Sequence, residues 1–461
     1  MRKTYAGVLA AMVSLSLSAC SSGSSSTGTA VSTPTPTTTT ATGTPSGAAP
    51  STTAPSSPDA TVANVKGDIT VLTQRTDLID TDLKAYAAAF KLKYPDVNVK
   101  FQGITNYEGE VRTRMNTSNY GDVLVIPNSI TADTLATYFE PLGTVEEMGS
   151  KYRFVQEQAF DGKVYGIAIT GNAQGIVYNK KLWKAAGITD LPKSPDEFVA
   201  DLKKIKDSSP GVVPLYTNYK DGWPTTQWEG NRGVVSADPE FNNKLTEDDA
   251  PWTAGKDHYT IDKLLYDVVK QGLTEKDPTT TNWENSKKLI GTGKVSAMVL
   301  GSWAITQMQA AAASKDDIGY MPFPVQKDGK FHTIIGGDYK NAVSIHSQNK
   351  EAAKAWVTWF ADESGYAAKE GGIAPLKDAP APKTLDEFTA NNVEFVELAP
   401  APADKQGLLG KIDKESEIGL YDPTFPQRII DAARGAKNES LDAIFADLNK
   451  KWAAARKTVA G

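Results

Sequence analysis

The chain has 461 residues, 23% of them charged and 40% hydrophobic, with a formal net charge of −6. A mixed acidic surface lacks the basic patches that nucleic acid or an anionic lipid surface requires, and a single cysteine excludes an intramolecular disulfide. The stretch from Val62 to Gly461 is too long for one ordinary core and suits two domains.

Arg2 and Lys3 open a positive segment, and the apolar run Ala6 to Leu17 is shorter than the ~20 residues that span a bilayer. Small residues in Leu17-Ser18-Ala19 then precede Cys20, the sole cysteine. The combination resembles a bacterial lipoprotein signal, which implies removal of residues 1–19 and acylation of Cys20. An unpaired thiol in an exported chain is otherwise a reactive liability. Losing Arg2 and Lys3 takes the formal charge from −6 to −8. Residues 20–61 read as a disordered tether: Ser21 to Pro58 contains only Ser, Thr, Gly, Ala, Pro and Val, too little apolar surface to offset ordering entropy. As a flexible coil it spans about 35 Å, and fully extended about 130 Å.

Strand and helix signals alternate beyond the tether. Asp68 to Thr73 is β-branched and apolar, and Ile79, Leu83, Tyr86 and Phe90 then share one face at helical period. Val97, Val99 and Phe101 alternate with polar neighbours as a strand, and Asp122 to Ile126 is an apolar run that Pro127 ends. This is a β-α-β start with a buried strand, as a mostly parallel sheet requires. Ser194-Pro195-Asp196-Glu197 reads as a capping box with Pro at the first helical position, followed by Phe198, Leu202 and Ile205 on one face. Asn349 precedes a helix with Ala352, Trp356, Trp359 and Phe360 at core spacing, and Gln427 to Ala455 is helical in pattern. No repeat of 20 to 50 residues is present. The pattern is α/β throughout, in two lobes.

Catalytic constellations are mostly missing. His258, His332 and His346 have no zinc-ligand spacing and read as surface or capping residues. Gly291-Thr292-Gly293-Lys294-Val295-Ser296 has Lys288 where a Walker loop needs glycine, and Ser296 where a dinucleotide fingerprint needs one. No G-x-S-x-G elbow occurs. Paired carboxylates for glycoside hydrolysis remain open among 55 acidic residues. The tryptophans are more informative. Trp183, Trp356 and Trp359 lie on helical faces and read as core, whereas Trp223, Trp228 and Trp303 stand beside Gly and Pro in loops. An indole at a loop tip offers an apolar platform while neighbouring Asp, Asn and Arg supply directed hydrogen bonds, a pairing suited to a polyhydroxylated ligand.

Three segments carry a resemblance to a known family. Asp161-Gly162-Lys163-Val164-Tyr165-Gly166-Ile167-Ala168, through Gly171-Asn172, to Ile176-Val177-Tyr178-Asn179-Lys180-Lys181-Leu182-Trp183-Lys184-Ala185-Ala186-Gly187-Ile188, resembles the central signature of family 1 extracellular solute-binding proteins. Gly293-Lys294-Val295-Ser296-Ala297-Met298 leading to Gly301-Ser302-Trp303 resembles that family's second motif. Ile335-Gly336-Gly337-Asp338, leading to Ser344 and Asn349-Lys350-Glu351-Ala352-Ala353, resembles its third.

The resemblance implies an α/β, two-lobed periplasmic-binding-protein fold of the type II, Venus-flytrap kind, with an interlobe ligand cleft. Lobe one is expected over 66–170 plus 318–361 and lobe two over 171–317 plus 362–461, with crossings near Ile169 to Asn172, Ser314 to Gly319 and Ala361 to Gly365. The ligand positions it implies are Arg75, Thr76 and Asp77 after the first strand, and Asn128 and Ser129 after the buried strand. Asn172, Trp223, Trp228, Ser302 and Trp303 come from the other lobe and the crossings, Asp338 faces them, and Tyr107 and Glu108 are further candidates. The implied activity is capture of a sugar, mono- or oligosaccharide, and its delivery to the membrane permease of an ATP-binding-cassette importer. The implied place is the outer face of the cell membrane, through lipid on Cys20. The implied chain is a monomer with no cofactor, no metal and no catalytic residue. A lipid-anchored glycoside hydrolase and a non-transport sensor are the alternatives, and Arg75 beside Asp77 leaves open an acidic or amino-acid ligand.

Overall fold

A computed structural model describes residues 65–105 and 107–460. The expected signal at 1–19, Cys20 and the whole of the 20–61 tether lie outside the described residues, as does the rest of the segment before Val65. Along the chain come β1 (Gly67–Thr73), α1 (Lys84–Lys93), β2 (Val97–Gly103), β3 (Val123–Val125), β4 (Ile167–Ala168), β5 (Gly171–Asn179) and α2 (Pro195–Ser208). β6 (Val213–Leu215), α3 (Asp257–Lys270), α4 (Trp283–Gly291), β7 (Val295–Gly301), α5 (Ala304–Ala311) and β8 (Ile318–Met321) follow. The remainder holds β9 (Gln326–Lys327), β10 (Lys330–Gly337), β11 (Lys340–Val343), α6 (Lys350–Asp362), α7 (Tyr366–Glu370), β12 (Glu394–Glu397), α8 (Thr424–Ala433) and α9 (Leu441–Ala460).

Two sheets organise these elements. The first runs β2-β1-β3-β11-β4, and the second β9-β10-β5-β7-β6, with β8 added to β5 and β12 to β10. β1 is parallel to β2 and β3, and β3 is buried along its whole length, as a central strand covered on both faces must be. α1 and α6 cover the first sheet, where Phe90 meets Trp356 and Trp359 edge-on at 5.2 and 5.4 Å. Each sheet thus has its own apolar core, and Trp183, Trp356 and Trp359 are all buried. α2 is capped by Ser194, which accepts from the Glu197 amide at 3.2 Å. The Glu197 carboxylate reaches one residue further, to the Lys193 amide at 2.7 Å, so the box is half formed. The C-terminal helical pattern breaks after Ala433 into α8 and α9.

Two expected crossings move. The chain first passes between sheets at Ile169 and Thr170, between β4 and β5. Residues 318–337, expected in lobe one, belong to the second sheet: β8 and β10 both pair antiparallel with β5. Gly175 permits this, because a Cβ there would lie 2.5 Å from the Met321 carbonyl oxygen. The second crossing is therefore at Asp338 and Tyr339. Residues 362–370, expected in lobe two, pack on the first core, with the Tyr366 ring 5.1 Å from Phe360. The third passage begins at Gly371 to Ile373, where Ile373 bridges Gly171 and a Cβ on Gly372 would strike Thr170 Oγ1, and residues 375–377 still pair with 151–153 of the first lobe before the chain moves on.

The histidines also depart from expectation, since only His346 is exposed. His258 is buried, its ring stacked on Trp252 at 4.7 Å with neither nitrogen hydrogen-bonded, and burial holds its pKa well below the usual value, so it is neutral. His332 is buried with Nε2 3.2 Å from Glu394. Near His258 the second core encloses charged groups: Glu229 pairs with Arg232 at 2.7 Å, and Asp262 accepts from Trp252 Nε1 at 2.7 Å. Burial, then the neighbouring Glu229, pushes the Asp262 carboxyl well above its usual range. A proton on Asp262 lets it donate to the Glu229 carboxylate alongside Arg232.

Because Asp262 titrates higher in the folded than in the unfolded chain, its contribution is fully present below about pH 3.9 and is lost as pH rises above that. Asp262→Asn imitates the protonated acid and keeps the acceptor for Trp252. Thermal melts from pH 5 to pH 8 are expected to show the variant gaining on the wild type by up to about 1.4 kcal/mol per pH unit. A difference that does not vary with pH would mean Asp262 is ionised in the fold.

Candidate functional site

β1 ends at Thr73, and its hydroxyl accepts from the Arg75 amide at 3.0 Å, turning the chain so that Arg75 leaves the sheet edge. The guanidinium then makes a two-point contact with Asp77, Nε to Oδ1 at 2.9 Å and Nη2 to Oδ2 at 2.8 Å. Its Nη1 donates to Glu370 and, at 3.0 Å, to the Tyr366 hydroxyl. Glu370 and Tyr366 are on α7, the short helix before the third crossing. Burial opposes the charge on Arg75, but the bonds from Asp77 and Glu370 outweigh it and raise its pKa, while Arg75 holds Asp77 below the usual carboxylate range. Burial pushes the Tyr366 phenol up, so it stays protonated.

This cluster forms one wall of an interlobe cleft of about 680 Å³. Asp338 and Tyr339, from the second crossing, continue the wall, and Thr170, Asn172 and Gly372 form its floor. Trp303, Lys287, Thr306 and Gln307 stand on the second-sheet side, where α4 and α5 meet. Trp303 follows the end of β7 and lies back over Gly301, where any Cβ would sit 2.6 Å from the indole nitrogen. Around it gather Trp223 at 5.7 Å and Trp283 at 5.4 Å, themselves 4.9 Å apart, with the Lys287 ammonium over the Trp283 ring at 5.1 Å. Trp223 is 37% exposed, large for an indole, so the cluster presents an apolar surface to solvent.

Of the positions expected from sequence, the fold brings Arg75, Asp77, Asn172, Trp303 and Asp338 into this cleft, with Trp223 against Trp303. Several others sit elsewhere. Trp228 is 2% exposed and packs edge-on against Phe323 in the second core, so it is no platform. Ser302 is buried, accepting from the Ala173 amide at 3.0 Å and donating to Asn172 Oδ1 at 3.4 Å: it holds the strand that presents Asn172. Tyr107 is buried, and its hydroxyl both donates to and accepts from the backbone of Val125. Glu108 accepts from the Asn128 amide at 3.0 Å and from the Tyr339 hydroxyl at 2.8 Å, supporting the cleft from behind Tyr339. Thr76 turns towards Gly103, away from the cleft lining. Asn128 and Ser129 are exposed and outside that lining. Sequence reasoning missed Trp283, Lys287, Tyr366 and Glu370. The bracketing of α7 by Gly365 and Gly371, both at positive φ, signals a short helix held for a purpose.

The cleft holds no uncommitted cation among its lining residues. Asp77, Asp338 and Glu370 outnumber Arg75 and Lys287, and Lys287 is itself paired with Glu284 at 2.9 Å. Such walls offer hydroxyl acceptors and an indole face.

The model of a family described as bacterial extracellular solute-binding protein matches residues 77–367. The chain belongs to that family. Its description places this solute-binding protein outside the cytoplasm, and its two-sheet α/β architecture is the family's two-lobed fold. Among curated relatives it is 25% identical to the multiple sugar-binding protein of Streptococcus mutans over 295 residues, 61% of this chain and 68% of that one. It is likewise 25% identical to the diacetylchitobiose binding protein DasA of Streptomyces coelicolor, over 64% of this chain and 69% of that one. Among solved structures it is similar to BlMnBP1, a binding protein of an ABC transporter from Bifidobacterium animalis subsp. lactis in complex with mannobiose. The identity is 36% with a TM-score of 0.79, covering 87% of this chain and 96% of that one. BlMnBP2 of the same organism, a manno-oligosaccharide specific solute binding protein in complex with mannotriose, is 35% identical with a TM-score of 0.79, covering 87% and 96%. These relatives are binding proteins rather than enzymes.

Replacing Arg75 by Met leaves Asp77 and Glu370 close together without their shared cation. Asp77 titrates lower in the fold than unfolded, so its stabilisation is present above about pH 3.9 and fades as pH falls through the folded value. Arg75→Met is expected to lower stability at pH 7 by roughly 1–2 kcal/mol, the partly exposed carboxylates limiting the effect, and the gap is expected to close towards pH 3. Chemical denaturation at both pH values checks it, and a gap that widens on acidification contradicts the clamp.

Proposed function

We propose that this solute-binding protein captures an uncharged oligosaccharide, with manno-oligosaccharides as the first class to test, and hands it to the membrane permease of an ATP-binding-cassette importer. The observation behind the reading is the opposition of the Trp223, Trp283 and Trp303 cluster to the carboxylates that Arg75 orders across the cleft. A sugar ring has an apolar C–H face for an indole and a rim of hydroxyls for carboxylate and amide acceptors. Likeness to two manno-oligosaccharide binders at 35–36% identity supports the mannose assignment. Arg75 is already committed to Asp77, Glu370 and Tyr366, which disfavours a uronate or an amino acid, since either needs a free cation for its carboxylate.

In this reading Trp303 stacks on a sugar ring, Asp77, Asp338 and Glu370 accept hydroxyl protons, and Asn172 bridges at the floor. A ligand that touches both walls favours the closed arrangement of the lobes, because only differential contact shifts such an equilibrium. No bond is made or broken. Acylated Cys20 and the tether that follows keep the receptor at the outer face of the membrane, within reach of the permease.

Calorimetry with mannobiose and mannotriose tests the reading. Trp303→Ala is expected to weaken binding by about 1–3 kcal/mol with little change in melting temperature. Trp228→Ala, in the core, is expected to reduce stability by about 3–5 kcal/mol instead. Unaltered affinity in Trp303→Ala removes that indole from the site, and silence towards every mannoside, with binding of another saccharide, moves the ligand class.

A further inference from the structure

Behind the Arg75 wall, between the first sheet and α6, lies a cavity of about 30 Å³. It meets the interlobe cleft at Gln74, Arg75 and Tyr366, which line both spaces. Its walls are largely apolar, with Val71, Phe101 and Phe360 among them. Two residues on that lining carry enclosed polar atoms with no hydrogen-bond partner among the described residues: Gln74 at Oε1 and Trp356 at Nε1.

The surroundings hold both residues at the cavity. Trp356 is 1% exposed, and its ring is fixed edge-on by Phe90 at 5.2 Å and Phe101 at 5.7 Å and lies 5.6 Å from Phe360. Gln74 stands in the turn that ends β1, where its carbonyl accepts from the Thr76 amide at 2.9 Å and the Thr73 hydroxyl accepts from the Arg75 amide at 3.0 Å. An indole nitrogen only donates, and an amide oxygen only accepts. The two atoms are complementary, yet they do not bond to each other. Water satisfies both, accepting from one and donating to the other. A cavity needs about 10–15 Å³ to hold one water molecule, and that molecule needs about two to four polar partners. The volume here suits one or two molecules, and the Thr73 hydroxyl and Asn341 amide bring further polar groups to the same lining. Without water, burial would leave a donor and an acceptor both unsatisfied, which folded proteins rarely carry.

We propose that this cavity is an internal water site, whose water accepts from Trp356 Nε1 and donates to Gln74 Oε1 and so ties the end of β1 to α6 directly before Arg75. The cleft wall built on Arg75 then rests on a hydrated bridge to the core of the first lobe as well as on apolar packing. A high-resolution crystal structure of the wild type is expected to show ordered water density within hydrogen-bond reach of both atoms. Thermal melts of Gln74→Met, Trp356→Phe and the double variant test the bridge energetically. Gln74→Met is expected to lower the melting temperature of the wild type by about 2 °C or more, because it strands the indole donor, and to have little effect in Trp356→Phe, where no donor is left to strand. Should Trp356→Phe fail to fold, the crystal structure of Gln74→Met decides: loss of the density supports the bridge, and its persistence overturns it. A dry cavity in the wild type, or an equal effect of Gln74→Met in both backgrounds, also overturns it. No ligand enters either measurement, so the outcome is independent of the saccharide reading.

Discussion

Everything in this protein hangs on three extended crossings that meet at Gly171. Gly171 pairs with Gly337 in the β5–β10 ladder and bridges Ile373, so the three passages between the sheets lie side by side. Side chains would prevent this: Phe154 already occupies the space a Cβ on Gly171 would need, and Thr170 the space beside Gly372. Close backbone approach makes a narrow ribbon, and a narrow ribbon leaves two lobes with a space between their facing ends, joined at the crossings by an apolar cluster in which Phe154 and Ala168 meet Ala173 and Ile373. The cleft follows from that constraint, since residues at the crossings become its floor and residues at the strand ends become its walls.

The walls are chemically unlike, and the difference comes from how each is supported. On the first side Arg75 gathers Asp77, Glu370 and Tyr366, so negative charge is concentrated but fixed in direction by one guanidinium. On the second side three indoles support one another at 4.9 to 5.7 Å, so apolar surface is held up to the cleft without collapsing into the core. Rigid, prearranged groups lose little freedom when a ligand arrives, which favours affinity without demanding extensive contact. The same Arg75 ties α7 to the first lobe immediately before the third crossing, so ligand contacts and hinge position share one residue.

Much of the architecture was legible locally. The β-branched apolar run of β1, the alternation in β2, the apolar run at β3, the start of α2 at Ser194 and the tryptophans of α6 all reflect patterns that burial imposes on a short window. The crossings were harder. Residues 318–337 were placed with the wrong sheet because their apolar run suits either core, and only pairing with β5, permitted by Gly175, decides between them. Loop tryptophans look alike in sequence: Trp228 and Trp303 each stand two residues from a glycine, yet one meets Phe323 in the core and the other the cleft.

The sequence by itself determined the elements, the two-lobed class and the family motifs, because these depend on residue type and on spacing of a few positions along the chain. Only tertiary structure decided which polar groups converge. Arg75 and Glu370 are separated by 295 positions, and Trp283 joins Trp223 and Trp303 from a third segment. Such meetings depend on how helices pack at the ends of sheets, an arrangement set by the summed burial of both cores rather than by any local pattern. The buried Asp262 beside Glu229 belongs to the same class: an unremarkable residue whose chemistry is created by what the fold places around it.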